Sequence, residues 1–155
     1  MWLSRRHLLM LPLALAACGF QPVYGPQGGG SALLGTTRIT APQTRDGFIL
    51  QRQLEQRLGR SRTDQHHLAL AVTTNQEGLA VDEEGNTARY TLLAKVSYTL
   101  SDQNSGQVLT SGEVSNFTGY SATGTTVATL AAQKDAQARL MTIVADQILT
   151  RLNNR

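Results

Sequence analysis

Apolar positions between residue 37 and the C-terminus recur with periods of two or of three to four, and each change of period predicts a new element. Thr37 to Ala41 is a short strand candidate stopped by Pro42. In GFILQRQLEQRLG, Leu50, Leu54 and Leu58 recur every four residues, Asp46 offers an N-cap and Gly59 stands at the expected C-terminal stop. These features predict a short amphipathic helix. HLALAVTTNQ, residues 67 to 76, places Leu68, Leu70 and Val72 on one face against smaller or polar neighbours, the period of a half-buried strand. The chain then passes Gly78, the acidic run Asp82, Glu83, Glu84 and Gly85-Asn86 to TARYTLLAKVSYTLSD, its clearest strand. There Ala88, Tyr90, Leu92, Ala94, Val96, Tyr98 and Leu100 share one face, with Arg89, Thr91, Leu93, Lys95, Ser97 and Thr99 on the other. At about 3.3 Å per residue this strand approaches 50 Å. The turn Gln103-Asn104-Ser105-Gly106 predicts a hairpin with QVLTSGEVSNFTGYS, whose aromatic residues lie at its far end.

A Gly- and Thr-rich turn at residues 119 to 126 precedes a stretch with no Gly or Pro from Thr125 to the end. At 100° per residue, Val127, Leu130, Ala131, Ala138, Met141, Val144, Ala145, Ile148, Leu149 and Leu152 gather on one stripe. A helix of about 28 residues is about 42 Å long, so it can lie along the whole hairpin. The prediction is an α+β domain in the order β-α-β-β-β-α: a mixed four-stranded sheet, two helices packed on one face, and the other face polar and open.

The N-terminus follows a different logic. MWLSRRHLLMLPLALAAC has two arginines, an apolar run from Leu8 to Leu15 and then small residues, the layout of a signal sequence. A spanning helix needs about 20 apolar residues, and this run, interrupted by Pro12, is about half that. Leu15-Ala16-Ala17-Cys18 resembles a lipobox, where diacylglycerol joins the cysteine sulfur and cleavage leaves Cys18 first, ready for an N-acyl chain. Residues 1–17 are therefore expected to be a lipoprotein signal peptide, 18–35 a lipidated N-terminus and Gly-rich tether, and 36–155 a single α+β domain. Gly19, rather than Asp, after the cysteine resembles the outer-membrane sorting case of Gram-negative lipoproteins. Ser4-Arg5-Arg6-His7-Leu8-Leu9 leaves both the general secretory and the twin-arginine export routes open.

Charge and cysteine usage narrow the function classes. The net charge of +3 comes from 14 basic and 11 acidic residues, and loss of Arg5 and Arg6 leaves 12 against 11, or +1. With no run of like basic residues, the mature domain offers no footprint for nucleic acid. Cys18 is the only cysteine, so no disulfide forms within the chain. Adjacent His66 and His67 point to opposite faces of a strand and cannot share a metal. No nucleophile elbow, zinc spacing or phosphate loop occurs, and the acidic run lacks the alternation of a calcium loop. The expectation is no enzyme, no metal and no cofactor beyond the covalent lipid on Cys18.

Several stretches together resemble one family. Cys18-Gly19-Phe20-Gln21-Pro22-Val23-Tyr24-Gly25 follows the lipobox, Asn86-Thr87-Ala88-Arg89-Tyr90 opens the long strand, and Ser97-Tyr98-Thr99-Leu100 closes it. Ala128-Thr129-Leu130-Ala131-Ala132-Gln133-Lys134-Asp135-Ala136 then leads to Ala145-Asp146-Gln147-Ile148. In this order and spacing they resemble the LptE family of lipopolysaccharide-assembly lipoproteins, in its alphaproteobacterial form. The resemblance implies a non-enzymatic outer-membrane lipoprotein, facing the periplasm and a barrel lumen. It would partner and plug the LptD β-barrel and assist barrel assembly and delivery of lipopolysaccharide to the outer leaflet.

Candidate contacts to lipopolysaccharide or to the partner are Arg89, Thr91, Lys95 and Lys134. Arg89 and Lys95 share a strand face about 20 Å apart and can meet separate phosphates or stand as solvated strand charges. Lys134, placed on the apolar stripe of the last helix, has to snorkel, pair with a carboxylate or reach an anion, and snorkelling is the expected arrangement. The acidic run at Asp82 departs from the basic residues that the family resemblance implies for lipid phosphates. The rival reading is a free-standing periplasmic ligand-binding or scaffold lipoprotein.

Overall fold

The structure, a computed structural model, describes residues 31–81 and 87–154. The signal peptide, Cys18 and the acidic run Asp82, Glu83, Glu84 lie outside the described residues. A 3-10 turn, Ser31–Leu33, leads into β1 (Thr37–Thr40), α1 (Arg45–Leu58), β2 (His66–Val81), β3 (Thr87–Asp102), β4 (Val108–Ser121) and α2 (Thr126–Asn153). The sheet order is β1-β2-β3-β4, with β1 parallel to β2 and the other pairs antiparallel. Both helices cover one face, giving the α+β architecture and the β-α-β-β-β-α order expected from the sequence.

The alternation in β3 decides which face is covered. Leu92, Ala94, Val96, Tyr98 and Leu100 are buried beneath the helices, with Leu68 and Leu70 of β2 opposite Leu100 and Tyr98, Val114 of β4 opposite Val96, and Tyr120 of β4 opposite Tyr90. Each fully buried Leu or Val contributes about 1.5–3 kcal/mol relative to exposure. From α1 come Leu50, Leu54 and Leu58, the four-residue repeat seen in the sequence. At the far end of the hairpin Tyr90 and Tyr120 stack with centroids 5.4 Å apart, and burial raises the Tyr120 phenol above its ordinary value.

Local signals explain the element ends, with one correction. Asp46 is not the N-cap of α1. Thr44 is, its extended backbone letting Oγ1 accept the Gly47 N–H at 3.1 Å. Asp46 sits in the first turn, where its carboxylate Oδ2 accepts the Thr74 hydroxyl at 2.6 Å and joins the helix to β2. Gly59 closes α1 at φ 74, a conformation that costs a side chain energy and glycine little. In the β3–β4 turn, Asp102 Oδ1 accepts the amides of Ser105 at 2.8 Å and Asn104 at 3.0 Å. These bonds hold its carboxyl below the ordinary value.

Two further expectations are corrected by packing. Leu33, assigned to the tether, is 0 % exposed, and Gly35 N–H donates to the Leu58 carbonyl at 2.7 Å, so the domain already includes these residues. An apolar pair after a Gly-rich run is where the tether ends, and Leu33 fills the space beneath the last turn of α1. Leu33→Ala is expected to lower stability by about 2–4 kcal/mol, read as a shifted urea midpoint with unchanged slope. A loss below about 0.5 kcal/mol would return this residue to the tether.

The stripe on α2 is also displaced at its N-terminal end. Ala136, Leu140, Met141, Val144, Ala145, Ile148, Leu149 and Leu152 are buried, whereas Val127 is 79 % exposed and Leu130 and Ala131 are exposed as well. The reason is length. The 28 residues of α2 span about 42 Å and the 14 of α1 about 21 Å, so α1 flanks only the C-terminal part of its neighbour. The pair Arg57–Asp146 and the shared groove of Phe48 with Lys134 and Ala138 show the helices running parallel, with the first turns of α2 overhanging.

Candidate functional site: the open face of the sheet

The face of the sheet turned away from the helices follows from the register. Residues opposite one another project to the same side, so Glu77, Thr91 and Gly119 form one row, Asn75, Leu93 and Phe117 the next, and Thr73, Lys95 and Ser115 the third. The second and third rows line a shallow concavity of about 510 Å³ with Thr73, Asn75, Leu93, Lys95, Ser115 and Phe117. The face is not uniformly polar, as the sequence predicted. Leu93 is half-buried at its centre and Phe117, directly opposite on β4, is 68 % exposed. An apolar bar thus crosses the middle strands inside a border of Thr, Ser and Asn.

Charges on this face are peripheral to the bar. Lys95 Nζ lies 3.0 Å from Glu113 Oε1, with both side chains about half exposed, so the pair is worth at most about 1 kcal/mol. Arg89 is exposed near the far end opposite Ser121, and among the described residues it makes no ion pair. Thr91 is half-buried between Glu77 and Gly119. His67 faces the same side, its Nε2 3.0 Å from Thr40 Oγ1, while His66 turns to the other side with Nδ1 3.3 Å from Thr36 Oγ1. The two imidazoles cannot meet one ion, and among the described residues no three metal-ligating side chains gather.

Of the four candidate residues, Arg89, Thr91 and Lys95 share this face and Lys134 does not. Lys134 is exposed on α2 rather than central to its buried stripe, because at its level α1 has only begun. It borders a groove of about 820 Å³ between the helices, together with Arg45, Phe48, Arg52 and Arg60. Glu55 is the acidic residue of that groove, 3.9 Å from Arg60. Leu93 and Phe117 join the open face without being among the four candidates that the sequence singles out. The signal for Leu93 was an apolar residue in the otherwise polar set of its strand. For Phe117 it was the odd position, out of phase with Val114 and Tyr120 on the buried side.

Together these features define a two-layer α+β domain that presents one sheet face, polar with an apolar centre, to its surroundings. Residues 34–152 match the lipopolysaccharide-assembly family LptE, and the chain belongs to that family. Among solved structures, it is similar to a protein described as a candidate lipoprotein of Caulobacter crescentus CB15, with TM-score 0.69, 24% identity, 81% of this chain and 93% of that chain covered. A minor lipoprotein from Acinetobacter baumannii gives TM-score 0.55 and 19% identity over 79% of this chain and 93% of the other. Rare lipoprotein B from Shewanella oneidensis gives 0.54 and 16% over 76% and 91%. At these identities the likeness is one of fold. Among curated protein sequences, none matches this chain.

Proposed function

We propose that this protein is a lipid-anchored, non-enzymatic subunit of the outer membrane that partners the LptD β-barrel and plugs its lumen. In that role it assists barrel assembly and lipopolysaccharide delivery. Membership of the LptE family supplies the process. The observation that carries the partnership is the open sheet face, where Leu93 and Phe117 form an apolar centre within a polar border. Barrel interiors are polar and water-lined, so a plug needs mostly hydroxyl and amide side chains there, with a small dry anchor to fix its position. Lipopolysaccharide contact through Arg89 or Lys95 belongs to the same reading. So do the diacylglycerol and N-acyl chain on Cys18, which keep the domain beside its barrel.

The deciding experiment is extraction in mild detergent. The wild type is expected in a stoichiometric complex with a large heat-modifiable barrel, whereas recovery at its own mass would favour the free-standing periplasmic ligand-binding or scaffold lipoprotein. Phe117→Glu should keep the wild-type melting temperature, since the ring is largely exposed and Lys95 lies diagonally across the strands. It should reduce complex recovery at least about tenfold, because a new charge at a dry contact costs several kcal/mol to desolvate, and sensitise cells to large hydrophobic antibiotics. Undiminished recovery would move the partner to the helices. Cys18→Ala should accumulate as uncleaved precursor outside the outer-membrane fraction, and normal processing and sorting of this variant would remove the lipid anchor from the proposal.

A further inference from the structure

The two long edges of the sheet are built differently. On β4, even residues pair with β3, as the Ala122 N–H bonded to the Ala88 carbonyl confirms, so odd residues aim their backbone groups outward. Several of these are occupied by side chains. Arg151 donates to the Glu113 carbonyl at 2.5 Å, Arg139 donates to the Gly119 carbonyl at 3.4 Å, and the Phe117 N–H donates to Asn116 Oδ1 at 2.8 Å. Twelve residues of helix, about 18 Å, match six residues of strand, about 20 Å, so α2 lays one arginine at each carbonyl. This edge is guarded in the way that exposed edges of soluble proteins usually are.

β2 has no such guard. The β1 strand pairs with it only from His66 to Ala69. The His66 N–H donates to Thr36 on the β1 side, while Gln65 accepts from Gln103 on the β3 side, so even residues of β2 face outward. Past the Leu70 N–H, which the Thr40–Ala69 register gives to the Thr40 carbonyl, the outward groups from the Leu70 C=O through Val72, Thr74, Gln76 and Gly78 meet no partner among the described residues. The strand is nevertheless held from the helix side, by Thr74 to Asp46 at 2.6 Å and Gln133 to Gln76 at 3.0 Å. From the Leu70 carbonyl to Gly78 the edge runs eight residue steps, about 26 Å, close to the height of about 25 Å of the apolar band of outer-membrane barrels.

We propose that the β2 edge from Leu70 to Gly78 takes up an extended strand of another protein by main-chain hydrogen bonding, a strand with the alternating apolar and polar pattern of an outer-membrane barrel strand whose barrel has not closed. Its apolar row would continue the layer of Leu70 and Val72 under the helices. Its polar row would extend the open face beside Thr73 and Asn75, making edge and face one continuous interaction surface. The inference rests on the barrel partnership only for the origin of the strand, not for the chemistry of the edge.

The test uses the folded domain with its N-terminal tether and a soluble ten-residue peptide alternating valine and threonine, flanked by lysines. A second peptide with proline at alternate positions cannot complete the ladder. Amide exchange of Val72, Thr74, Gln76 and Gly78 is expected to slow at least about tenfold with the first peptide and not with the second. Gln76→Pro, which deletes one outward donor, should abolish this slowing while melting within a few degrees of Gln76→Ala, which equally loses the bond from Gln133 but retains the slowing. Asn75→Pro should destabilise the fold, because that N–H serves the β3 ladder. No slowing, equal slowing by both peptides, or slowing that rises with protein concentration alone, as pairing with a second copy would give, each overturns the proposal. A chain that co-purifies with the barrel yet shows no edge protection removes the edge proposal alone. Protection in a chain that purifies without a barrel removes only the origin assigned to the strand.

Discussion

Leu92→Glu is expected to leave no folded domain at neutral pH. Leu92 lies on β3, which is paired on both sides along nearly its whole length, and its side chain is buried beneath the helices. Folding with glutamate there requires protonation, and at pH 7, about 2.7 units above the ordinary glutamate value, that costs about 3.7 kcal/mol at about 1.36 kcal/mol per unit. Loss of the leucine itself adds about 2–3 kcal/mol. The sum is comparable to the whole stability of a small domain, about 5–15 kcal/mol. Thr91→Glu, one residue away on the open face, should remain folded and lose less than about 1 kcal/mol, including its repulsion from Glu77 directly opposite. Circular dichroism melts of the two variants decide the matter. A cooperative transition of Leu92→Glu within a few degrees of wild type would mean that the buried face of β3 has been assigned to the wrong side.

Gly47→Ala should destabilise a position where helix propensity alone predicts a gain of about 1 kcal/mol. Gly47 lies in the first turn of α1, folded back over the β1–α1 connection, and a Cβ built there would overlap the Pro42 carbonyl oxygen. That oxygen cannot swing aside, because it accepts the Thr44 N–H at 2.8 Å and Thr44 caps the helix. Relief requires backbone movement at the junction of both elements, costing about 1–3 kcal/mol, enough to reverse the propensity gain. Urea titration of the variant measures the difference, and a raised midpoint would show that the close approach is absent in solution.

The sequence carried most of the architecture because β3 alternates without interruption and α1 repeats leucine every four residues, signals that tertiary context reinforced. What stayed hidden depended on distance in space. Thr44 and Asp46 are both good caps, and only the turn after Pro42 decides that Thr44 takes the role. The exposed positions Val127 and Leu130 satisfy the helical period perfectly, but no periodicity states that the neighbouring helix is half as long. Leu93 and Phe117 become a site only once the register sets them opposite each other. Lys134, near the other candidates in chemistry, is separated from them by the full thickness of the domain.

The unequal helices also make the domain mechanically tapered. Where α1 and α2 lie side by side, Leu33, Leu50, Leu54, Leu58, Leu68, Leu100, Ile148 and Leu152 form a deep layer; toward Tyr90 and Tyr120, beyond the start of α1, α2 covers the sheet without its neighbour. The chain enters at the thick end, where Leu33 is locked beneath α1 and Gly35 is bonded to Leu58. Tension arriving from the N-terminus therefore meets the stiffest part of the molecule first, and the compliant tip lies about the length of α2 away. A domain graded in this way can be held firmly at its root while its tip bends to fit what it meets.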